Sequence, residues 1–188
     1  MDLALGVGVH HLQGRNGSGK TTLLKCLCGA LLPDEGRVSV CGEDPRRPAA
    51  RRRIAFSPAE CDLPGFLTVD EAWQTTAALR AASSWDGAPL RSRLGLPGKL
   101  RLSNGSAGQR RLAGLLAALA GDPEVLLLDE PLANVDVQTC AVVGAIIAEL
   151  GATRVVLITS HEAPPFEVNG SHELTAGAPL RWPGSPNE

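Results

Sequence analysis

The 188-residue chain contains no tyrosine, only three phenylalanines and three tryptophans, and one methionine, so few aromatic faces are available to any site in it. It also lacks an excess of charge of one sign. Its 18 basic and 20 acidic residues argue against a protein held to nucleic acid by a general positive field. No apolar run approaches the ~20 residues that cross a bilayer. The strongest, Leu112 to Ala120 and Val125 to Leu128, are separated by Asp122, Pro123 and Glu124. The cysteines, Cys26, Cys28, Cys41, Cys61 and Cys140, are odd in number and lack the paired spacing of a zinc site. Reduced, packed thiols are expected, which suits the cytosol. The opening "MDLALGVGVHH" has no cationic leader and too short an apolar part for a signal sequence, so no export signal is expected. One basic run, Arg46, Arg47, Arg51, Arg52 and Arg53, reads as a solvated, turn-forming face.

What is present is enough apolar content, 44%, for one globular domain with a core and room for a small subdomain. Val7 to Leu12 reads as a strand feeding a glycine-rich loop, and Thr21 to Leu32 as a helix. Alternation predicts a strand over Arg37 to Cys41, and "RRRIAF" a further strand ending at Ser57 and Pro58. A helix is expected over Val69 to Ala82, inside a segment punctuated by Gly and Pro that reads as a small helical insert. Then "QRRLAGLLAALAG" predicts a helix, "EVLLLDE" a buried strand, "DVQTCAVVGAIIAELG" a helix and "TRVVLITSH" another strand. A short strand is expected near His172 to Thr175, before a Pro- and Gly-rich tail. Apolar strands alternating with helices indicate an α/β fold whose parallel sheet is covered on both faces.

"GRNGSGKT", Gly14 to Thr21, fits G-x-x-x-x-G-K-[ST] and lies between a strand and a helix, the context that this P-loop (Walker A) motif requires. Gly17 and Gly19 let the backbone turn its N–H groups onto a phosphate, and the following helix aims its positive end there. Lys20 reaches the outer phosphates, and Thr21 would ligate Mg²⁺. Asn16, Ser18 and Thr22 belong to the same cradle. "VLLLDEP" places Asp129 at the carboxyl end of a buried strand, where open α/β sheets hold ligands, and Asp129 can share the Mg²⁺ shell. Glu130 beside it can accept a proton from an attacking water.

In this order the motifs resemble the ATP-binding cassette (ABC) ATPases over nearly the whole chain. The family's signature, usually LSGGQ, has two candidates here, "LSNGS" from Leu102 and "GSAGQ" from Gly105. Ser106 precedes Asp129 by 23 positions, the family-like separation, whereas Ser103 precedes it by 26, so Gly105 to Gln109 is chosen. The resemblance implies that Ser106, Gly108 and Gln109 contact the γ-phosphate held by a partner subunit, at the free N–H groups of a helix start. It implies a head-to-tail dimer, homomeric or heteromeric, with two ATP molecules between Walker A of one protomer and the signature of the other. "LANVD" puts Asp136 at the family's D-loop position, and "TSHE" makes His161 similar to its switch histidine.

Three departures stand out. Ala59, followed by Glu60, occupies "AFSPAE" where the family has Gln, so coupling or turnover is in question and Glu60 is a candidate substitute. The N-terminal β region is shorter than the family's and carries no aromatic to stack on adenine. Gly105 replaces the signature's Leu. The expected organisation is an ABC ATPase domain over 1–162, including an insert at 66–105, followed by a short strand and tail over 163–188. The expected function is the nucleotide-binding subunit of an ABC transporter. It would hydrolyse ATP on the cytoplasmic face of the membrane to drive a separate permease, with Lys20, Glu130 and His161 as catalytic residues and no nucleic-acid partner. The chain resembles small bacterial exporter subunits, and "SAGQRR" is similar to the haem-exporter-type subunit of cytochrome c maturation. Two alternatives stay open. One is a degenerate regulatory cassette, the other an ABC ATPase acting on DNA or ribosomes, although the long coiled-coil insertion or second cassette of those relatives is missing.

Overall fold

The computed structural model describes residues 4–60, 63–133 and 135–174. Five parallel strands form one sheet in the order β2-β3-β4-β1-β5. They are β1 (Gly8–Gln13), β2 (Ile54–Ser57), β3 (Val125–Asp129), β4 (Val155–Ser160) and β5 (Gly170–Glu173). Every residue of β3 is buried, as a strand covered on both faces must be. Its side chains divide by the two-residue period. Leu126 and Leu128 join one core with Leu116 and Ile147, and Val125 and Leu127 join another with Leu24. Helices α1 (Lys20–Leu27), α3 (Val69–Leu79), α5 (Ala107–Leu119) and α6 (Val137–Gly151) supply those covers, α1 on one face and the other three on the opposite one. The expected α/β architecture is therefore present.

Local chemistry explains where the elements begin and end. Thr68 and Glu71 form a reciprocal capping box at the start of α3, Ser106 and Gln109 another at the start of α5, and the Asp136 side chain caps α6. The helix expected over Thr21 to Leu32 stops at Leu27. Gly29 takes φ 74°, and the amides of Ala30 and Leu31 turn back onto the Lys25 carbonyl at 2.8 and 3.1 Å. A Cβ at Gly29 would lie 2.6 Å from the Pro45 carbonyl oxygen, so glycine permits both the turn and the close approach. Helix α3 likewise ends three residues before the expected Ala82.

Two strand expectations fail for identifiable reasons. Arg37 to Cys41 forms no strand. Val40 and Glu43 instead bond to each other across Cys41 and Gly42, at φ 53° and 78°, and the chain reverses at once. In "RRRIAF" the arginines belong to a helix, α2 (Pro48–Arg53), and only Ile54 onward is strand. Pro48 suits a first helical turn. Arg53 then makes a forked contact to Glu124 at 2.6 and 2.7 Å, fixing the end of α2 beside the entry to β3. The basic run is thus partly helical and partly paired. Within the insert, α4 (Ala88–Arg93) and a 3₁₀ turn at Leu102–Asn104 follow α3. The last strand begins two residues before the expected His172. Thr175, the tail that follows it and Cys61 lie outside the described residues.

His172 of β5 packs its ring 6.1 Å from that of His10 of β1, nearly parallel. Burial, with His10 and His11 nearby, pushes His172 down to about 4 from an ordinary 6.5. The unfolded chain therefore takes up a proton near pH 6.5 that the folded chain refuses until about pH 4, and stability falls as pH drops through that window. Denaturant midpoints should decrease from pH 7 to 5, and His172→Asn should flatten part of that decrease.

Candidate functional site

The carboxyl ends of β1, β3 and β4 lie side by side, with Asp129 opposite Thr159 and Gln13 opposite Ser160. Loop Gly14–Gly19 leaves β1 at this edge and enters α1. Gly17 and Gly19 adopt φ 77° and 101°, conformations that side-chain-bearing residues rarely take, and the Ser18 amide between them closes the turn by donating to the Arg15 carbonyl at 3.1 Å. A cleft of about 320 Å³ opens over the loop, lined by Arg15 to Thr22, Ala59, Asp129, Glu130 and His161. Asn16, Gly17, Ser18, Gly19, Lys20, Thr21 and Thr22 thus share one wall. Gly14 lies behind it: a Cβ there would meet the Leu174 carbonyl and Ser18 Oγ at 2.6 Å, and its own carbonyl accepts from Lys20 Nζ at 2.6 Å.

Lys20 is only 7% exposed and its ammonium stands 4.0 Å from Glu130 Oε1. Thr21 Oγ1 donates to Asp129 Oδ2 at 2.6 Å, and Thr159 Oγ1 donates to Asp129 Oδ1 at 2.6 Å. Thr159 Oγ1 also accepts from the Glu130 amide at 3.0 Å. His161 Nε2 is 3.3 Å from Glu130 Oε1. Burial raises the Glu130 carboxyl above the usual carboxylate range, and Asp129 adds to the rise, while His161, Lys20 and Arg111 oppose it.

The cleft's chemistry fits a magnesium nucleotide. Ser18 Oγ and Glu130 Oε1 are buried without a hydrogen-bond partner, two polar atoms in a cleft lined also by Arg15 and Lys20. Thr21 and Asp129 present a hydroxyl and a carboxylate oxygen already within 2.6 Å of each other, the donor types that Mg²⁺ takes.

The other expected residues form a second group. Ser106, Gly108, Gln109 and Asp136 line a separate pocket of about 510 Å³ with no residue in common with the first. Ser106 and Gln109 sit at the start of α5, whereas the first three residues of "LSNGS", Leu102–Asn104, form the 3₁₀ turn before it with Leu102 buried. Here the Gln109 side chain returns to the Ser106 amide, and Asp136 accepts from Thr139. Those bonds hold the Asp136 carboxyl below the usual range. Ala59 lines the first cleft, while Glu60 is exposed and does not. Two participants were missed in the sequence. Thr159 of β4 stands two positions before His161, and Arg111 of α5 two positions after Gln109, so each lies beside a motif residue in the sequence.

A family model described as ABC transporter matches residues 6–133. The chain belongs to the ABC transporter family. It is 32% identical over 176 residues to the cytochrome c biogenesis ATP-binding export protein CcmA of Nitrosococcus oceani, covering 89% of this chain and 77% of that one. It is 35% identical over 159 residues to the Nod factor export ATP-binding protein I of Paraburkholderia xenovorans, covering 80% of this chain and 52% of that one. The chain therefore spans about half the length of that relative. A solved structure of a candidate ABC transporter ATP-binding protein from Pyrococcus furiosus superposes with TM-score 0.76 at 26% identity, over 89% of this chain and 84% of that one. The parallel-sheet architecture of this ABC family member is thus the P-loop fold of the family's ATP-binding structures.

Proposed function

We propose that this chain is the nucleotide-binding subunit of an ABC exporter, hydrolysing ATP to ADP and phosphate to drive a separate membrane permease. The observation that carries the reading is the convergence of Lys20, Thr21, Asp129, Glu130 and His161 on one cleft at the sheet's carboxyl edge. Lys20 and the loop amides balance the charge of the β- and γ-phosphates. Thr21 and Asp129 would hold Mg²⁺, which when bound shields phosphate charge. Glu130 accepts the proton of the attacking water, and its raised affinity for protons suits that task. His161, whose Nε2 stands 3.3 Å from Glu130 Oε1 and which lines the cleft, orients the γ-phosphate.

The second pocket supports a dimer, because Ser106 and Gly108 lie outside the cleft of their own chain and are available to complete that of another. In this reading the spanning partner is another chain and this one works against its cytoplasmic face; among the described residues no helix is long and apolar enough to cross a membrane. The domain division belongs to the same proposal: residues 1–162 as the ATPase domain, 66–105 as its helical insert, and 163–188 beyond it. Cross-linking of the natively expressed chain, followed by purification, tests the reading. A stoichiometric complex with a polytopic membrane protein, whose ATPase activity exceeds that of the isolated chain, is the expected result. Association with ribosomes or DNA that weakens with salt would refute it.

A further inference from the structure

Glu130 takes φ +52°, the left-handed region that a side-chain-bearing residue enters only when its surroundings hold it there. Both of its backbone polar groups are held by side chains. Its amide donates to Thr159 Oγ1 at 3.0 Å, and its carbonyl accepts from Arg111 Nη1 at 2.6 Å. The same guanidinium reaches two further loops: Nη1 donates to the Ala133 carbonyl at 2.9 Å and Nη2 to the Ala59 carbonyl at 2.6 Å. One planar fork therefore joins the residue after β3, the loop beyond it and the loop after β2. Arg111 itself is fixed on α5, two residues past Gln109, in the helix whose first turn carries Ser106 and Gly108.

We propose that Arg111 is a positioning residue that holds Glu130 in its left-handed conformation and ties that conformation to the placement of α5. The proposal rests on the reading of Glu130 as the base. A shift of α5 relative to the sheet moves Arg111, and with it the carbonyl of Glu130, so the carboxylate's aim at the cleft depends on where the Ser106 end of the helix sits. A lysine cannot reproduce the arrangement, because a single ammonium has no rigid fork with which to span three carbonyls.

The test compares Arg111→Met and Arg111→Lys in the unmodified chain and in Glu130→Gln, with three readouts. Without nucleotide, deuterium exchange should rise at 129–133 and near Ala59 in both Arg111 variants and stay unchanged at Gly14 to Thr21. Turnover should fall about 10- to 100-fold in Arg111→Met, the scale of a roughly 1 Å misplacement, with KM for ATP nearly constant. In the Glu130→Gln background, Arg111→Met should cause no further loss. Unchanged exchange, an effect confined to KM, or the same fold-loss in both backgrounds would overturn the proposal. Unchanged turnover in Glu130→Gln alone would instead remove the base assignment, a separately visible failure. Should Arg111→Met lose cooperative melting, Arg111→Lys decides the matter by the same exchange and turnover criteria.

Discussion

Replacing Glu130 by Gln should lower ATP turnover by about 100- to 10,000-fold, the usual contribution of a positioned general base, while leaving ATP affinity nearly intact. Gln keeps the size and the hydrogen-bonding capacity but cannot take the proton of the attacking water. Glu130 is half-buried at the cleft, within 3.3 Å of His161 and 4.0 Å of Lys20, so its loss removes chemistry without dismantling the cradle. Because burial raises its proton affinity, the unmodified chain should lose turnover as pH falls through that raised value, since protonated Glu130 is no base. Single-turnover rates across pH 5 to 8, alongside equilibrium binding of a fluorescent ATP analogue, check both statements. Equal loss of binding and turnover would count against the assignment.

Lys20→Ala should act on the other axis. Its ammonium is nearly buried and donates to the Gly14 carbonyl at 2.6 Å and the Arg15 carbonyl at 3.4 Å, contacts that hold it over the loop. A charge-assisted hydrogen bond contributes about 1.5–3 kcal/mol, so removal should weaken ATP binding by roughly 10- to 100-fold and turnover at least as much. Calorimetric titration with ATP and Mg²⁺ measures the first. Adenosine, which has no phosphate, should bind the variant and the unmodified chain alike. A Lys20→Ala chain that binds ATP normally would show that the cradle is not a phosphate site.

How much of this was legible beforehand depended on whether the signal was local. The P-loop was readable because its glycines, Lys20 and Thr21 are contiguous and each is required by backbone geometry or charge. The β3 strand was readable because "VLLLD" is apolar throughout and buried on both faces. Arg37 to Cys41 misled because alternation is also compatible with a segment that folds back on itself, and the positive-φ pair Cys41 and Gly42 decided for the turn. Arg51 to Arg53 misled because their helix is set by Pro48 at its start and by the contact of Arg53 with Glu124, 71 positions away. Long separation also hid Thr159 and Arg111. Each acts through a partner brought near only by the sheet: Thr159 through Asp129, 30 positions away, and Arg111 through Ala59, 52 away. The two-cleft arrangement was expected only from family resemblance, since nothing in the spacing says that Ser106 would stand apart from Lys20.

The central claim is that this cleft hydrolyses ATP and that two chains complete it. The most direct measurement is the initial rate of ATP hydrolysis by the purified chain with Mg²⁺ over a wide range of protein concentration, with Glu130→Gln and Lys20→Ala alongside. The account predicts a rate that rises more steeply than linearly at low concentration and falls in both variants by at least the factors given above. A rate strictly proportional to concentration, or one that survives both substitutions, would contradict it.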